Sequence, residues 1–172
     1  RMVVIGGDNV AYDVARTLVR QTGYDVSSTA LRQKGVEEVH LVCLGPGHSP
    51  SDTYVFLPRE KIVFCGDIVF SGTPPLSLAG SVVGHVRQLE TLANLEAEIY
   101  VAGHGPVVGK EYVCGSRNYL RHLLEEARKC FDQGVPLQEA ARTMPRDQKR
   151  WPAMPSFFPV AQCARAYHEF SG

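Results

Sequence analysis

Apolar residues occur in this chain either as short unbroken runs or at helical spacing, and the two patterns alternate from end to end. Met2-Val3-Val4-Ile5 is an unbroken run closed by Gly6-Gly7, which reads as a buried strand entering a turn. Over residues 9–20, Val10, Ala11, Val14, Leu18 and Val19 recur at helical spacing, and Thr22-Gly23 supplies a stop. Residues 24–35 match residues 12–23 at seven of twelve positions. A solenoid needs about three repeats, so the copy reads as a second helical stretch. Residues 36–44 are strand-like, and residues 53–57 and 61–64 flank Pro58-Arg59-Glu60 as a hairpin.

After the loop-forming Ser71-Gly72-Thr73-Pro74-Pro75, residues 81–95 place Val82, Val86, Leu89 and Ala93 on one helical face. Ile99-Tyr100-Val101-Ala102 is another short buried strand. Residues 118–134 form the clearest amphipathic helix, with Tyr119, Leu123, Leu124, Ala127, Cys130 and Phe131 on one side. Gly134 closes it and Pro136 can open the next. Residues 144–159 carry four prolines and read as a loop; Val160, Cys163, Ala164 and Tyr167 predict a terminal helix. Strands mixed with helices place the fold in the α/β or α+β class, with α/β the expected one.

Composition narrows this picture. With 172 residues, 44% of them apolar, the chain can bury one sizeable core. Eighteen Lys and Arg balance eighteen Asp and Glu, so no basic field exists to hold nucleic acid or an anionic membrane. No apolar run of about 18 residues and no secretory leader occur, which predicts a soluble, cytoplasmic protein of undetermined oligomeric state. The opening Arg1-Met2 leads straight into a strand-like run and reads as an internal cut. Cys43, Cys65, Cys114, Cys130 and Cys163 are odd in number and lack a Cys-x-x-Cys pair, so they read as small buried apolar residues.

Three short loops, each following a strand-like run, hold the chemistry: residues 45–52 with His48, residues 64–67 with Asp67, and residues 102–106 with His104. Imidazole nitrogen and carboxylate oxygen are the donors of a catalytic zinc, and neighbouring glycines let backbones converge on an ion. Singly, a histidine between glycines is more often a turn residue, and Gly-Asp after a strand is commonly just a turn. Order and spacing together carry more. Gly-Pro-Gly-His-Ser-Pro-Ser-Asp-Thr-Tyr-Val-Phe-Leu-Pro, Lys-Ile-Val-Phe-Cys-Gly-Asp-Ile-Val-Phe and Val-Ala-Gly-His-Gly-Pro-Val resemble the third, fourth and fifth metal motifs of the metallo-β-lactamase superfamily. Ala79-Gly80-Ser81, the helix after it and the C-terminal helices fit as well, so the resemblance spans about residues 36–170.

That resemblance implies a zinc hydrolase. His48 would ligate one zinc, His104 a second, and Asp67, as the catalytic carboxylate, would bridge or neighbour both. The ions would supply hydroxide at neutral pH and polarise a carbonyl or phosphoryl oxygen of a small-molecule amide, ester, thioester or phosphodiester. The family's His-x-His-x-Asp-His motif is absent: the histidines are His40, His48, His85, His104, His122 and His168, no two one residue apart. A partial site of doubtful turnover is the expectation. His40, His85, His122 and His168 read as core, edge or helix residues without a ligand role.

Residues 1–44 resemble something else. Met-Val-Val-Ile-Gly-Gly-Asp-Asn-Val-Ala-Tyr-Asp-Val-Ala-Arg is similar to the strand, turn and helix with which pyridine-nucleotide oxidoreductases, notably the glutamate synthase small subunit and its relatives, hold NAD(P)H. The resemblance implies pyrophosphate contacts from Gly6, Gly7 and Ala11. Asp8 stands where the second glycine is expected and brings negative charge to the helix terminus, which opposes that binding. The expected organisation is therefore a Rossmann-like β-α-β segment over 1–44 and a partial metallo-β-lactamase-like αβ sandwich layer over 45–172, packed as one domain. The alternatives to a zinc hydrolase are an NAD(P)/FAD-type dinucleotide-binding module or a structural chimera of two family halves without activity.

Overall fold

Buried positions alternate along the strands, and in the one sheet they form Tyr54 and Phe56 share a face with Val42, while the buried Val39 and Leu41 lie on the other. In the computed structural model, which describes residues 2–5, 39–147, 149–152 and 154–172, the strands are β1 (Met2–Ile5), β2 (Val39–Gly45), β3 (Asp52–Leu57), β4 (Ile62–Phe70) and β5 (Ile99–His104). They stand in the order β1-β2-β3-β4-β5. β1 lies parallel to β2, β2 to β4 form an antiparallel meander, and β5 runs parallel to β4. The expected hairpin is present: Lys61, at φ 55°, donates its N–H to the Pro58 carbonyl at 3.3 Å.

Four helices follow among the described residues: α1 (Val82–Asn94), α2 (Lys110–Asp132), α3 (Leu137–Thr143) and α4 (Phe157–Phe170). Tyr54, Val63, Cys65 and Tyr100 from the sheet pack against Leu89, Leu92, Leu120 and Leu123 from the helices. Each valine or leucine among them contributes about 1.5–3 kcal/mol on burial. The helical stretches expected over residues 9–20 and 24–35 lie outside the described residues. None of the five cysteines is in a disulfide, and no described helix is long and apolar enough to cross a membrane.

Three expectations need correction. Helix α2 begins at Lys110, eight residues before the expected residue 118, because Val113 and Ser116 continue its buried face through Gly115. Asp67 and His104 lie within strands rather than in loops after them. The terminal helix exists, but its face is rotated: Pro159, Gln162, Cys163 and Ala166 are buried, whereas Val160 is exposed. A buried glutamine has displaced the phase that the apolar residues alone suggest.

Candidate functional site

Backbone irregularities bring the three segments together. At Gly66, φ is +54° and the β4–β5 register shifts. A residue there enters the left-handed region at little cost only if it is glycine. The shift is followed at once by Asp67. On the neighbouring strand, a Cβ at Gly103 would lie 2.2 Å from Asp67 Oδ1 and 2.7 Å from the Gly66 carbonyl, so the carboxylate occupies the space a side chain would fill. His104 is paired in register with Phe70 and its imidazole stacks on that ring, at 5.1 Å and 4°.

His48 sits in the turn between β2 and β3, which is tied down on both sides. The Asp52 carboxylate accepts from Ser49 N at 3.1 Å and from Ser49 Oγ at 2.6 Å. The Gly47 carbonyl accepts from Ser81 N at 2.8 Å, at the start of α1. Gln88, buried on α1, donates to the Gly45 carbonyl at 2.9 Å. The His48 ring then lies 5.1 Å from Phe70, so both imidazoles flank one phenyl ring.

The three predicted residues converge on one carboxylate. His48 Nε2 is 3.6 Å from Asp67 Oδ2 and His104 Nε2 is 3.4 Å from Asp67 Oδ1. Charge-assisted N–H···O bonds run about 2.7–2.9 Å, and both separations exceed that. The side chains of His48, Asp67 and His104 are 26%, 40% and 65% exposed, so the cluster opens to solvent. Among the described residues no group of three or more His, Cys, Asp or Glu side chains is arranged so that it could hold a metal ion as it stands. The arrangement is two imidazole–carboxylate pairs sharing Asp67.

The protonation of His48 is legible from its partner. Its Nδ1 lies 2.7 Å from the Leu76 carbonyl, and a carbonyl only accepts, so Nδ1 carries the hydrogen. In the neutral ring, Nε2 is then a lone pair directed at a carboxylate. That pairing is repulsive unless a proton or a metal cation lies between them.

His85 was expected to be an idle helix residue, and the structure gives it a buried role beside the site. Its Nε2 donates to the Ile68 carbonyl at 2.9 Å and its Nδ1 faces Ser77 Oγ at 2.8 Å. Burial pushes its pKa down to about 4, so the ring is neutral and its Nδ1 accepts from Ser77. A histidine three residues after Val82 shares the apolar face of α1; that phase was the available signal. Gly6, Gly7 and Ala11, the expected nucleotide contacts, lie outside the described residues.

Known proteins extend this geometry. The family described as the metallo-beta-lactamase superfamily matches residues 16–104. That range starts inside the stretch read from the sequence as a dinucleotide-type unit and takes in His48, Asp67 and His104. No curated protein matches the chain. Among solved structures, the stereoselective inverting sec-alkylsulfatase Pisa1 from Pseudomonas sp. superposes with a TM-score of 0.63 at 16% identity, over 77% of this chain and 24% of that one. A metallo-beta-lactamase family protein from Thermus thermophilus gives 0.54 at 16% identity, over 95% of this chain and 59% of that one. The chain thus spans about a quarter of the first and under two thirds of the second, and the likeness is one of fold.

Proposed function

The chain belongs to the metallo-beta-lactamase superfamily, and from that premise we propose that His48, Asp67 and His104 form a zinc-binding face of hydrolase type. The observation that carries the proposal is the His48 ring: Nδ1–H is committed to the Leu76 carbonyl, and the Nε2 lone pair faces Asp67. This is how a metal-ligating histidine is held, with its second nitrogen donating to an oxygen acceptor. The spacings fit as well. Two donors on a tetrahedral zinc, each about 2.0–2.1 Å from the ion, stand roughly 3.3–3.4 Å apart, close to the 3.4 and 3.6 Å found here.

His48 and His104 would each hold zinc through Nε2, with Asp67 offering a different oxygen to each. A zinc ion held there would polarise a carbonyl or phosphoryl oxygen and lower the pKa of a bound water to about 7. Asp67, part-exposed between the two rings, is placed to bind metal and to take up a proton at its free lone pairs. The substrate class is a small molecule with a hydrolysable amide, ester, thioester or phosphodiester. His-x-His-x-Asp-His does not occur among these 172 residues, so His48, Asp67 and His104 are the ligands that these residues would contribute.

Elemental analysis of protein purified with zinc, then dialysed against metal-free buffer, tests the site. Wild type should retain zinc and His104→Ala should lose most of it. Equal zinc content in the two proteins would remove the assignment.

A further inference from the structure

The connection from β4 to α1 contains two consecutive prolines, Pro74 and Pro75, and lacks helix or strand from Ser71 to Ser81. Residues 73–80 make no backbone–backbone hydrogen bond among the described residues. Yet Leu76 in its middle supplies the carbonyl that holds His48. Something other than secondary structure must fix that carbonyl.

Gln162 does so from the far end of the chain. It is 1% exposed on α4. Its Oε1 accepts from Ser77 N at 2.9 Å and its Nε2 donates to the Pro75 carbonyl at 3.0 Å. The two ends of one amide thus grip the residues on either side of Leu76. Burying an amide costs free energy unless both ends are paired, and here both are. Ser77, itself fully buried, passes the fixation on: its Oγ donates to His85, whose other nitrogen donates to the Ile68 carbonyl beside Asp67. Seven residues further along α4, on the same face, Glu169 accepts from Ser81 Oγ at 2.7 Å and Val82 N at 2.6 Å at the start of α1. One face of α4 therefore holds the middle and the far end of the connection that runs past the site.

We infer that Gln162 is a positioning residue for His48: by clamping Pro75 and Ser77 it sets the Leu76 carbonyl, which fixes the tautomer and direction of that ring. The consequence for metal affinity rests on the zinc reading above; the consequence for His48 does not.

Two measurements on the whole chain separate these. In metal-free protein, the imidazole nitrogen shifts of His48, assigned with a His48→Gln variant, report which ring nitrogen carries hydrogen. Zinc affinity is read by competition with a chromophoric chelator. Wild type should show His48 protonated on Nδ1. Gln162→Met, similar in length but without the amide, should move His48 to a mixed tautomer and weaken zinc by about 10–100-fold, as loss of a supporting partner does elsewhere. Gln162→Glu, which keeps only the acceptor for Ser77, should fall between them and serves in place of Gln162→Met if that variant does not fold. Leu123→Ala, a core truncation, should lower stability while leaving both readouts unchanged. A Gln162 variant that folds with the wild-type tautomer overturns the inference, whatever its melting temperature. Absence of zinc binding in wild type would remove the metal reading alone, and the tautomer would still decide the role of Gln162.

Discussion

Replacing His85 with glutamine should flatten the loss of stability that this protein suffers in mild acid. In the folded chain burial holds His85 neutral, with its pKa down at about 4 against an ordinary 6.5. The unfolded chain therefore binds a proton between these values that the folded chain refuses. Stability rises with pH wherever the unfolded state carries more protons, so the contribution of His85 is complete above pH 6.5 and declines as pH falls toward 4. Each pH unit inside that window is worth about 1.4 kcal/mol. Between pH 8 and pH 5 the loss assignable to His85 is thus about 2 kcal/mol. Because the ring is fully buried, this figure needs no reduction for solvent screening. Glutamine does not titrate. Urea unfolding of both proteins at pH 8 and pH 5, in chelator so that no metal contributes, gives two stability differences, and subtracting one from the other cancels the remaining histidines. A difference near zero would mean that His85 is charged or solvated in the folded chain and that its bonds to Ile68 and Ser77 are not those described.

Three further changes test other parts of the structure. Gly103→Ala places a methyl group against the Asp67 carboxylate and the Gly66 backbone; it should cost about 1–3 kcal/mol of stability and abolish zinc retention, and an unchanged zinc content would contradict the packing of β4 on β5. Glu169→Gln keeps the shape but removes the anion at the N-terminus of α1; thermal unfolding should show a loss of about 1 kcal/mol, whereas no loss would show that Ser81 suffices as the cap. Burial pushes the Cys65 thiol up to about 12 and that of Cys163 up to about 11, so mass spectrometry after brief exposure to an alkylating reagent should find both unmodified while the partly exposed Cys43, Cys114 and Cys130 react first. Modification of Cys65 in that first phase would show the core to be open.

Residues whose role follows from polarity and period were legible in the sequence. Val82, Val86, Leu89 and Ala93 line the buried side of α1 as their spacing predicts, and the turn at Pro58 joins two strands. His48, Asp67 and His104 were picked out by their order and by glycines at their sides, and the folded chain brings all three to one carboxylate. Less legible was how that cluster is held. Asp67 was expected in a loop, yet it lies inside β4, because a single left-handed glycine shifts the register without ending the strand.

The residues that hold the site are those a hydropathy pattern discards. His85, Gln88 and Gln162 are all buried; His85 was read as a helix residue without a ligand role and the two glutamines were passed over, since a polar side chain breaks an apolar stripe. Their burial is tolerable because each finds a backbone partner in an irregular segment: Ile68, Gly45, and Pro75 with Ser77. An irregular segment is where backbone groups lack the partners that helices and strands supply, and it is also where His48 and its supporting carbonyl lie. The same deficit therefore explains both facts: a loop that must present a functional group has unpaired amides and carbonyls, and buried polar side chains from a neighbouring helix satisfy them. On this ground a lone Gln or His on the apolar face of a helix, in a chain whose functional residues sit on irregular segments, is better read as the partner of such a segment than as a flaw in the core.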